Sequence, residues 1–104
     1  MDKYITVTTL CNKEEIANKI IDILLEKRLV VGSQLSKVDS KYWWKNEIEE
    51  SKEYKLEFRT KKDLFKEIEK EIKNIHDYEV AEISCFEIEN ANAEFLKWIN
   101  DNTK

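Results

Sequence analysis

Tyr42-Trp43-Trp44-Lys45-Asn46-Glu47-Ile48-Glu49-Glu50 is the stretch on which the reading of this chain turns. It holds two of the three tryptophans side by side, then a two-residue turn signal, then acidic residues. Bulky aromatics beside such a turn mark the tip of a β-hairpin. Successive strand residues point to opposite faces, so Trp43 and Trp44 cannot both face one small core. One of them needs a second surface, and another copy of the same chain is the simplest candidate.

Outward from the tip, the hairpin arms read as residues 29–44 and 47–59, with Lys45-Asn46 as the turn. Val30 and Val31 open the first arm. In the second, Tyr54, Leu56 and Phe58 alternate with Lys55, Glu57 and Arg59, the period of a half-buried strand. Both arms exceed the usual ~5–6 residues of a strand, so the hairpin is expected to overhang the body of the domain.

Upstream, residues 3–10 carry strand formers. A helix is expected over about 13–28, with Asn12 as N-cap, Glu15 as its reciprocal partner, and Lys27 and Arg28 in the last turn. Its apolar positions are Ile16, Ala17, Ile20, Ile21, Leu24 and Leu25. Downstream, Thr60 is expected to cap a second helix over about 61–75, on the spacing Leu64, Ile68, Ile72, Ile75. His76-Asp77 reads as a turn, residues 79–89 as a strand, and a short helix follows from about Ala93. The polar tail from Asn100 is expected to fray. The order β-α-β-β-α-β plus a terminal helix is that of a ferredoxin-like α+β sandwich, with two helices on one face of a four-stranded antiparallel sheet. The whole chain, residues 1–104, reads as one domain.

Composition narrows the function classes. Charged residues make up 38% with a net charge of −4, and both signs are interspersed, so no general phosphate-backbone binder is indicated and no nucleic-acid partner is expected. A single glycine, Gly32, and no proline exclude a glycine-rich phosphate loop. No leading apolar run suggests a signal peptide or a membrane span, and Cys11 and Cys85 read as reduced structural thiols. A cytoplasmic location and no membrane partner are expected on these grounds.

No catalytic constellation stands out, and no enzyme activity is expected. One histidine excludes a histidine cluster within one chain. His76 reads as an exposed turn residue, or as a metal ligand joined by groups from a neighbouring chain. Glu47, Glu49 and Glu50 offer carboxylates to a hard cation, or charges that blunt a sheet edge. Glu82, between Val80 and Ile83, is expected to be partly buried and paired with Arg59 or a lysine. Tyr42, Trp43 and Trp44, interleaved with Lys41 and Lys45, could stack on nucleobases, but the acidic run after them favours packing against a partner subunit.

The segment Ser40 to Glu50 resembles the signature of the CutA family, the divalent-cation tolerance proteins. The resemblance continues at Glu53 and at Arg59-Thr60, where the family usually has Lys-Thr. His76-Asp77-Tyr78-Glu79-Val80-Ala81-Glu82-Ile83 is similar to the family's His-Pro-Tyr-x-x-Pro-Glu-Ile, and Phe95-Leu96-Lys97-Trp98-Ile99 to its Tyr-Leu-x-Trp-Ile. Glu26-Lys27-Arg28-Leu29-Val30-Val31 is similar to its Glu-x-x-Leu-Ala-Ala. The resemblance implies a ferredoxin-like fold, a homotrimer with hairpins packed across subunit boundaries, and a non-enzymatic role in divalent-metal tolerance. It implies a divalent metal, copper or zinc, as a possible cofactor, with His76 and Glu82 as candidate ligands. Arg59, Tyr78 and Glu79 are candidates for an intersubunit ligand cleft, and Tyr42, Trp43 and Trp44 for the trimer interface. The family trimer is also similar to that of PII-type signalling proteins, which implies a nucleotide or anion sensor as the alternative. A trimeric interaction scaffold is a third reading. The chain departs from the pattern at Gly32, where the family usually has a cysteine. That removes a soft ligand of the type that selects copper(I), so a copper-specific role is not expected.

Overall fold

The computed structural model describes residues 3–104. Strand β1 (Tyr4–Cys11) leads into helix α1 (Glu14–Glu26); β2 (Gly32–Trp44) and β3 (Glu47–Lys61) form the hairpin. A 3₁₀ turn (Lys62–Leu64) precedes α2 (Phe65–Ile75), followed by β4 (Ile83–Glu87) and α3 (Ala93–Asn102). The sheet order is β2-β3-β1-β4, with every neighbouring pair antiparallel. This is the ferredoxin-like arrangement expected from the element order.

Alternation decides which side of the sheet is core. Ile5, Val7, Leu56 and Phe58 are fully buried and meet Ile20, Leu24, Ile68 and Ile72 from α1 and α2. Burying each such side chain contributes about 1.5–3 kcal/mol. The intervening positions form the uncovered side, which is mainly polar: Thr6 is paired with Arg59, and Thr8 with Glu57.

The hairpin turn is chemically explicit. Lys45 and Asn46 both have positive φ, 50° and 66°, the conformation of a type I′ turn whose twist matches the flanking strands. Beyond the Cys11–Tyr54 pairing, β3 has no third strand beside it, whereas β2 and β3 stay paired to Trp44–Glu47. The rungs from Val38–Glu53 to Trp44–Glu47 therefore overhang by roughly 20 Å at ~3.4 Å per residue.

Several local expectations are corrected. Helix α1 begins behind Lys13, with no side-chain cap, so the Asn12–Glu15 box is not made. It ends at Glu26, before Lys27 and Arg28. Arg28 takes the left-handed position (φ 56°), and Leu29 and Arg28 donate back to the carbonyls of Leu24 and Leu25, a Schellman closure without glycine. Thr60 is a β3 residue, not a helix cap: its hydroxyl donates to the Leu29 carbonyl at 2.5 Å. The last strand covers only Ile83–Glu87, not residues 79–89: its pairing with β1 stops at Thr9–Ile83, and the carbonyl of the next β1 residue, Leu10, is taken by His76. The tail does not fray: Lys104 N–H donates to the Arg28 carbonyl at 2.8 Å and its ammonium reaches Glu67 at 2.7 Å. Gly32 lies under Trp98, where an added Cβ would sit 3.7 Å from the indole, an ordinary contact.

Candidate functional site

Where the hairpin leaves the body, the segment after α2 turns back beside it. The anchor of that segment is His76. Its side chain is 2% exposed, not the surface turn residue expected from sequence. Nδ1 accepts the Tyr78 N–H at 3.2 Å, which assigns the ring proton to Nε2, donated to the Leu10 carbonyl at 2.6 Å. The Tyr78 ring lies against the imidazole, with centroids 4.7 Å apart. His76 thus ties the end of β1 to the loop and orients Tyr78. A metal at His76 would have to displace one of these bonds.

Tyr78 carries the geometry onward. Its hydroxyl donates to Glu53 Oε2 at 2.7 Å. Burial, and then this bond to a carboxylate, push the Tyr78 phenol well above its ordinary value. Glu53 itself is only 7% exposed. Next along the loop, Asp77 is bound by the Lys13 ammonium at 2.8 Å, and that bond holds its carboxyl below the usual carboxylate range.

Hairpin and loop enclose a cleft of about 700 Å3, within the size range of small-molecule sites. Its hairpin wall is Ser40, Lys41, Tyr42, Trp43, Trp44 and Glu53; its loop wall is Asp77, Tyr78, Glu79, Val80 and Glu82, and Leu10 and Asn12 close the floor. The structure thus brings together Tyr42, Trp43 and Trp44 with Tyr78, Glu79 and Glu82. It leaves out Arg59, which sits mid-sheet opposite Thr6 and reaches Gln34 at 3.4 Å. Glu82 is exposed and accepts from Ser84 at 2.9 Å, not partly buried and paired with Arg59 as the sequence suggested. Glu50 of the hairpin tip pairs with Lys41 at 3.0 Å. Among the described residues no group of three or more His, Cys, Asp or Glu side chains is placed to hold a metal ion, so one chain's donor set does not fit a bound metal.

Glu53 is the site residue that residue-by-residue reasoning missed. Strand alternation alone puts it on a polar face. Its burial comes from Tyr78, 25 positions away, and no local signal carries that.

These features define a class: a ferredoxin-like α+β domain with an overhanging hairpin and an aromatic, carboxylate-lined cleft at its root. The family model described as CutA1 divalent ion tolerance protein matches residues 5–102, and the chain belongs to that family. The divalent-cation tolerance protein CutA of Pyrococcus horikoshii is 36% identical over 90 residues, 86% of this chain and 88% of the relative. The protein of the same name from Thermotoga maritima is 36% identical over 88 residues, 85% and 87% of the two chains. The crystal structure of Pyrococcus horikoshii CutA1 superposes with a TM-score of 0.91 at 34% identity, covering 96% of this chain and 98% of that one. An Archaeoglobus fulgidus structure, described as a periplasmic divalent cation tolerance protein, gives 0.90 at 31% identity over the full length of both chains. No helix among the described residues is long and apolar enough to cross a membrane.

Proposed function

We propose that this chain acts as a homotrimeric, non-enzymatic protein of divalent-metal tolerance. The observation that carries the assembly is the cross-strand pair Trp43–Ile48 on the overhang, 72% and 64% exposed. A tryptophan and an isoleucine facing water on an arm that touches no core are what an interface anchor looks like before its partner arrives. Phe86 on the edge strand β4, 70% exposed, extends the surplus apolar surface to the opposite sheet edge. The metal role is supported by family membership. Because one chain does not gather a ligand set, metal held by the assembly would draw on more than one subunit. Cytoplasmic residence belongs to this reading and is supported by two free thiols, Cys11 and Cys85.

Sedimentation at micromolar protein is expected to give about three times the 12.5 kDa chain mass; a monomer would sink the assembly. Elemental analysis of protein purified without chelator or affinity tag tests the metal role, and titration with copper, zinc and nucleotides sets it against the sensor alternative.

A further inference from the structure

We draw no further inference here: the strongest candidate, the cleft between the hairpin root and the loop after α2, belongs to the site already described, and among the described residues no buried polar side-chain atom of its lining is left without a partner to mark a ligand.

Discussion

The two ends of the β2–β3 hairpin follow the same pairing rule and have opposite surroundings. At the base, Leu56, Phe58 and Thr60 are fully buried against β1 and the helices. At the tip, Trp43 and Ile48 are paired just as regularly and face water. Backbone register therefore runs unbroken from a region that stabilises the fold into one that contributes little to it. Strand pairing needs only a neighbour; burial needs a third layer, and that layer stops at Cys11. On the proposed trimeric reading, the large apolar side chains beyond that point serve contacts between subunits.

If this division is right, the sharpest way to show it is to damage each end in turn. Phe58→Ala empties a core position and should lower unfolding free energy by about 3–5 kcal/mol in urea denaturation. Trp43→Ala should leave the urea midpoint of a dissociated chain almost unmoved while weakening assembly by about 2 kcal/mol or more, read by sedimentation across a dilution series. A large loss of monomer stability from Trp43→Ala would erase the distinction between base and tip.

His76 tests the boundary between the two regions. His76→Phe keeps a ring but removes the donor to the Leu10 carbonyl and the acceptor for Tyr78 N–H, and should cost about 1–2 kcal/mol. Hydrogen exchange should rise at Tyr78 before it rises in the core strands. Uniform loosening of the core would mean that the loop is not a separate unit.

The smallest effect is expected at the exposed Lys13–Asp77 pair, which adds a pH signature to the same boundary. Asp77 has a depressed folded pKa and Lys13 a raised one. The pair's contribution is thus present above the ordinary carboxylate range. It is lost as pH falls through the depressed Asp77 value, and at the other end as pH rises through the raised Lys13 value. In Lys13→Ala, NMR titration should find the Asp77 carboxyl moved back up toward its ordinary value. An unmoved Asp77 would show that Lys13 is not the cause.

Much of this was legible from local pattern. The Lys45-Asn46 turn, the Tyr54–Leu56–Phe58 alternation and the helical spacing of Ile68 and Ile72 each report interactions between residues near one another in sequence. The misreadings have the opposite character. Thr60 had the chemistry of a cap, but a carbonyl 31 residues away claimed its hydroxyl. Residues 79–82 had strand composition, but pairing with β1 stops at Thr9–Ile83, where His76 takes the next carbonyl, that of Leu10. His76 looked like a turn histidine because nothing in its own segment predicts a carbonyl arriving from β1.

The same line divides the candidate site. Tyr42, Trp43, Trp44, Tyr78, Glu79 and Glu82 stand out in the sequence by type and position, yet only folding joins them in one cleft, removes Arg59 to mid-sheet and buries Glu53 behind Tyr78. By itself the sequence determined the element order, the hairpin, its turn and the excess of aromatic surface at its tip, because periodicity and turn chemistry act over a few residues. Tertiary structure alone decided that Glu53 is largely buried and that both ring nitrogens of the single histidine are hydrogen-bonded, because burial and hydrogen bonding depend on neighbours that the chain supplies from far away.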